Sequence, residues 1–172
     1  MGRKGKEVGP AFLPAEGKMD IENDDVPGLK IWRRRLPHWE LAGSTYFVTF
    51  QNKEGRLSTE EIVAVLEHIK RGDPTFYKFL AATVIPDHVH VLLQPSDGIS
   101  LPRITKGIKG VSARLVNERR GRRGTLWRDE SYDRIIRDDR EMEEKIGYIF
   151  TNAIRWGLST EGWDYPGLYL KG

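Results

Sequence analysis

The 172-residue sequence predicts an α+β fold: one antiparallel sheet covered by helices on one face. Three observations carry this. Segments rich in aromatic and β-branched residues alternate with segments whose apolar residues recur every three or four positions. Two strand-like segments abut across the pair Pro86-Asp87, a tight turn that joins antiparallel neighbours. The length suits one hydrophobic core rather than two.

The elements follow in order. Residues 1–30 mix Gly, Pro and charges without periodicity and read as a flexible N-terminal arm. The domain spans 31–158. Its first strand is Thr45-Tyr46-Phe47-Val48-Thr49-Phe50-Gln51. Ser58 and Glu61 form a capping box ahead of Ile62, Val65, Leu66 and Ile69, and Gly72-Asp73-Pro74 ends that helix. Residues 76–85 and 88–94 are the second and third strands. Leu101, Ile104, Ile108, Val111 and Leu115 give an amphipathic second helix. A loop, GRRG, follows at 121–124, then a fourth strand at 131–137. A last helix runs from Asp138 to about Trp156 and stops at Gly157. The tail, 159–172, is irregular but aromatic, so it packs rather than floats. The order is β-α-β-β-α-β-α.

Composition narrows the function. Hydrophobic residues make up 38%, which excludes a wholly disordered chain. No apolar run approaches the roughly 20 residues of a membrane-spanning helix, and the basic start lacks the apolar core of a secretory signal. The expected location is the cytoplasm. Cysteine is absent, which excludes disulfides and thiolate metal sites. The net charge of +3 favours a polyanionic partner. Its distribution says more. Arg33, Arg34 and Arg35 form one cluster. Lys106, Lys109, Arg114, Arg119, Arg120, Arg122 and Arg123 lie in a second region, where Glu118 is the only acid before Asp129. Such charge is either a solvated face or a phosphate-backbone contact.

The candidate chemistry starts at PDHVHVLL, residues 86–93. Alternate residues of a strand share a face, with Cα atoms roughly 7 Å apart. His88 and His90 therefore point one way, and Val89, Val91 and Leu93 point into the core. The pair fits either two metal ligands or a polar sheet face. In the last helix, Met142, Ile146, Ile149 and Ala153 form an apolar stripe. Tyr148 and Asn152, four residues apart, sit one above the other at its margin. A carboxamide oxygen can bind a metal, and a phenolic oxygen can act as a nucleophile. The same pair fits a tyrosine packed at the edge of a core.

Taken together, RRRLPHWELAGSTYFVTF, VIPDHVHVLLQP, IKGVSARLVN, GTLWRDESYDRIIRD and YIFTNAIRWGL resemble the single-tyrosine HUH transposases. The likeness is greatest to the REP-associated tyrosine transposases and spans about residues 33–168. It implies a ferredoxin/RRM-like HUH core and a metal-dependent single-stranded DNA endonuclease and strand transferase acting through a 5′-phosphotyrosine. In that reading Tyr148 is the nucleophile, while His88, His90 and Asn152 hold magnesium or manganese. The partner is hairpin-forming repeat DNA or its single strand, and the protein is a monomer or homodimer. The arginine cluster at 33–35 and the basic residues between Lys106 and Arg123 contact phosphates. Trp39, Trp127 and Tyr132 are candidates for stacking on unpaired bases. Relatives commonly read Asn-Pro where this chain has Asn152-Ala153, which alters the helix path but keeps the ligand. No phosphate-binding G-x-x-x-x-G-K-[ST] loop occurs. Two alternatives stay open: a non-catalytic hairpin or single-strand binding module, and a metal-dependent hydrolase of small phosphoesters.

Overall fold

Alternation in YFVTFQN puts Tyr46, Val48 and Phe50 on one side of a strand and Phe47, Thr49 and Gln51 on the other. That split organises the molecule. The computed structural model describes residues 30–33 and 37–172, with side chains from Leu41 onward. The expected arm lies outside the described residues except for Lys30. Arg34 and Arg35 lie outside them too, as do the side chains of Arg33 and Trp39.

Two short strands, β1 (Lys30–Arg33) and β2 (Pro37–Glu40), pair antiparallel as a separate ribbon. The main sheet contains β3 (Tyr46–Asn52), β4 (Tyr77–Val84), β5 (His88–Pro95), β6 (Trp127–Ile135) and β7 (Leu168–Leu170). Its order is β6-β3-β5-β4-β7, and every neighbouring pair is antiparallel. Three helices accompany it: α1 (Thr59–Lys70), α2 (Leu101–Arg119) and α3 (Asp139–Arg155). The capping box at Ser58 and Glu61 is present. Asp138 caps α3 by accepting from the backbone N–H of Glu141. Among the described residues no helix is long and apolar enough to cross a membrane.

The sheet is covered on both faces, not on one. Tyr46, Val48, Phe50, Val89, Val91 and Leu93 bury against Ile62, Val65 and Ile69 of α1 and Leu101, Ile104 and Ile108 of α2. Phe47, Ala81 and Leu92 project the other way and bury against Ile149 of α3, with Met142 and Ile146 beside it. Both alternating sets of β3 and β5 therefore carry buried apolar residues, Phe47 and Leu92 on the α3 side, which requires a second covering layer.

Two further differences have local causes. β6 begins at Trp127, four residues before the expected start. A register shift between Phe50 and Asn52 lets Trp127 pair with Asn52 and breaks the alternation that would announce a strand. The tail ends as β7, an edge strand on β4. It is held by Tyr165, which is buried and donates its hydroxyl to the Val84 carbonyl at 2.8 Å. Gly167 makes the approach possible: a Cβ there would lie 2.2 Å from the Val84 carbonyl oxygen. Gly157, at φ +65°, ends α3 in a left-handed turn that residues with a Cβ rarely adopt.

Candidate active site

The register places His90 at the centre of the sheet. It pairs with Thr49 on β3 and Thr83 on β4, on the face that α3 covers. His88 lies two residues earlier on the same face, and the two rings meet edge-on with centroids 4.6 Å apart. His90 is 0% exposed, His88 5% and Asn152 1%. Three buried imidazole and amide groups on one surface call for partners.

Each histidine has one on its Nδ1 side. His88 Nδ1 lies 2.8 Å from the Asp87 carboxylate. An ionised carboxylate only accepts, so Nδ1 carries a proton and donates it to Asp87. Burial opposes the charge of Asp87 most, but the hydrogen bond to His88, the nearby charges of His88 and Arg56 and a backbone hydrogen bond together outweigh it and hold the carboxyl below its ordinary range. His90 Nδ1 lies 2.7 Å from the Thr49 hydroxyl. Burial, aided by His88 and Lys145, pushes the His90 pKa well down, so the ring is neutral at physiological pH. Phe47 stacks on it at 5.3 Å.

α3 brings the remaining groups. Tyr148, Asn152 and Trp156 fall at four-residue intervals and form one row along the helix. The Tyr148 ring meets His90 edge-on at 5.1 Å. Trp156, at the other end, meets His88 at 5.5 Å. Asn152 sits between these contacts and so faces the histidine pair. It is fully buried, inside the boundary position expected from the helix alone. Ala153 is buried as well, and α3 runs through it without interruption.

Among the described residues, Nε2 of His88, Nε2 of His90 and Oδ1 of Asn152, all buried, meet no hydrogen-bond partner. An unpaired buried polar atom costs roughly 1–3 kcal/mol, so three on one surface fit a set of donors for a cation. Two imidazoles and an amide oxygen suit a divalent ion that completes its coordination with substrate or water. No cluster of three His, Cys, Asp or Glu that could hold a metal ion occurs among the described residues.

Tyr148 is half-buried, and burial raises its pKa. Arg155 and the carboxamide of Asn152 act in the opposite direction without cancelling that rise. The Arg155 guanidinium lies over the Tyr148 ring, 5.3 Å from its centre.

The basic residues divide differently. α2 lies across the sheet from Tyr148, so Lys106, Arg114 and Arg119 are exposed on the far side from the histidines. Arg120 makes two hydrogen bonds of 2.6 Å to the buried carboxylate of Glu61 and joins α2 to α1. Lys109 donates to the carbonyls of Arg128 and Asp129. Arg122 bonds Asn117, and Arg123 is exposed. Trp127 is a core residue: it is 4% exposed, donates to Ser112 and meets Phe50 edge-on. Tyr132 pairs with Thr49 on β6 and remains partly exposed near the site.

Thr49, Asp87, Arg155 and Trp156 were missed as site residues. Asp87 adjoins His88 in sequence and was visible there, although it reads first as a turn residue. Thr49 becomes visible only with the β3–β5 register.

Comparison with known proteins agrees with this architecture. A family model described as "Transposase IS200 like" matches residues 50–151. A Haemophilus influenzae protein described as "Putative REP-associated tyrosine transposase" is 23% identical over 100 residues, covering 52% of this chain and 57% of that protein. The chain thus spans little more than half the length of that curated relative. The structure of a REP-associated tyrosine transposase bound to a REP hairpin superposes with a TM-score of 0.60, at 20% identity, over 80% of each chain.

Proposed function

Because the chain belongs to the IS200-like transposase family, we propose that it cuts and rejoins single-stranded DNA beside a repeat hairpin, with Tyr148 as nucleophile. The observation that carries this reading is the convergence of His88, His90 and Asn152, each with an unpaired buried donor atom, on the flank of Tyr148. The hairpin substrate is drawn from the structural relative solved with a REP hairpin.

His88, His90 and Asn152 would hold magnesium or manganese, with Asp87 and Thr49 fixing the ring orientations from behind. A divalent ion there supplies neutralisation of charge on the scissile phosphate. Tyr148 supplies the nucleophile. Its Oη forms a bond to phosphorus as the bond from phosphorus to the 3′-oxygen breaks. The phenolic proton leaves to solvent, and the departing oxygen takes up a proton to become a free 3′-hydroxyl. The product is a 5′-phosphotyrosine. Attack on it by a 3′-hydroxyl releases Tyr148 and reseals or exchanges strands. The phosphodiester energy is retained throughout, so no nucleotide cofactor is required. Phe47, stacked on His90, and the buried sheet keep bulk water from the histidine side.

The test is incubation with a hairpin-bearing single strand and magnesium or manganese. A denaturation-resistant protein–DNA adduct is expected, lost in Tyr148→Phe with hairpin binding retained. Binding without any adduct across several repeat substrates would overturn the catalytic reading and leave a binding module.

A further inference from the structure

We infer that Arg155 is a phosphate-binding residue, which grips a phosphodiester of the single strand next to the one that Tyr148 attacks, or that one itself. This rests on the reading of Tyr148 as the nucleophile. Three observations support it. The guanidinium is centred 5.3 Å from the middle of the Tyr148 ring, so a group bound to its free edge lies beside the phenol. The residue is exposed, and among the described residues no carboxylate pairs with it. Its neighbour Trp156 meets His88, so the end of α3 presents a cation toward the tyrosine and an indole toward the metal-ligand side.

Helix C-termini favour cations, so position alone would not single out Arg155. Comparison within α3 does. Lys145 also lies near the site, 5.5 Å from the Phe47 ring centre. Its ammonium pairs with Glu144 at 3.3 Å, and its charge is partly spent. Among the described residues nothing takes up the N–H groups of Arg155, which lies over the Tyr148 ring. A planar guanidinium offers two parallel N–H groups to a phosphate while its face rests on an aromatic ring. The far-side cations of α2 cannot reach this position, because the sheet lies between. Among the described residues, Arg155 is therefore the cation positioned to fix a phosphate at the nucleophile.

The experiment measures DNA affinity in the Tyr148→Phe background, so that cleavage does not interfere. The probe is a hairpin-bearing single strand, unmodified or carrying one neutral methylphosphonate at successive positions. Arg155→Gln should weaken binding of the unmodified strand about tenfold. It should also reduce the slope of log affinity against log salt by about one. The penalty should vanish at one methylphosphonate position and persist at the others, and Arg155→Lys should restore part of the affinity. A penalty that is absent, or identical at every position, overturns the inference, as does a failure of the parent to bind DNA. The adduct assay on protein with Tyr148 intact is separate: no adduct with a position-specific Arg155 penalty refutes strand transfer and keeps the phosphate contact.

Discussion

Asn152→Leu should make the metal-free protein more stable while removing its response to metal. Asn152 is 1% exposed, and its Oδ1 meets no hydrogen-bond partner among the described residues. Replacing that acceptor with a methyl group of similar size recovers about 1–3 kcal/mol. The carboxamide also lies close enough to the Tyr148 phenol to lower its pKa, and losing that contact costs about 0.5–1.5 kcal/mol. The balance is about 1 kcal/mol in favour of the variant, or a melting temperature about 2–4 °C higher for a chain of this size. Metal reverses the order. An ion at about a hundred times its dissociation constant stabilises the native state by about 2.7 kcal/mol, and only the wild type keeps all three donors. The assay is thermal unfolding of both proteins in chelator and in millimolar manganese. A variant less stable than wild type in chelator, or one that gains as much from manganese, would refute the claim that the Asn152 oxygen is a metal ligand.

Two further outcomes follow from contacts away from the histidines. Arg120→Ala should destabilise the fold by about 3 kcal/mol, because it strands the buried Glu61, and hairpin affinity of the folded variant should change little. Arg120 holds the Glu61 carboxyl below its ordinary pKa through their hydrogen bonds. The pair's contribution is therefore present at neutral pH and is lost as pH falls below the usual carboxylate range and through the depressed folded value. Unfolding curves from pH 7 to 3 should converge for wild type and variant, and a gap independent of pH would contradict the assignment. Gly167→Ala should detach β7, since its Cβ would meet the backbone of Val84 at 2.2 Å. Hydrogen exchange at Leu168 and Tyr169 should then rise well above wild type, and unchanged protection would show that the close approach is dispensable.

The sequence made the regular elements legible wherever a local period and a local signal agreed. Ser58 and Glu61 announce α1, and Pro86-Asp87 announces the β4–β5 turn. What stayed hidden depends on pairing between distant segments. β7 is three residues long and exists because β4 offers an edge and Gly167 lets the chain approach it. The first half of β6 is masked by the register shift opposite Asn52. The second covering layer was readable, since Phe47 and Leu92 are apolar at positions that a one-sided sheet leaves to solvent. In the site, strand alternation put His88 and His90 together, and helical spacing aligned Tyr148 with Asn152. That the two pairs meet follows from α3 crossing the opposite face from α1 and α2, which no local pattern encodes. Counting cations does not tell which of them the fold itself engages. Arg120, Lys109 and Arg122 are engaged within the fold, whereas Arg155, outside the basic stretch, lies against the tyrosine.

The central claim is that His88, His90 and Asn152 hold one divalent ion in front of Tyr148. Anomalous diffraction from crystals of the manganese-loaded protein tests it most directly. The account predicts one strong peak within direct coordination distance of His88 Nε2, His90 Nε2 and Asn152 Oδ1, on the Tyr148 side of the sheet. A manganese ion bound elsewhere, or a histidine pair that closes on itself with no ion at millimolar manganese, would contradict it.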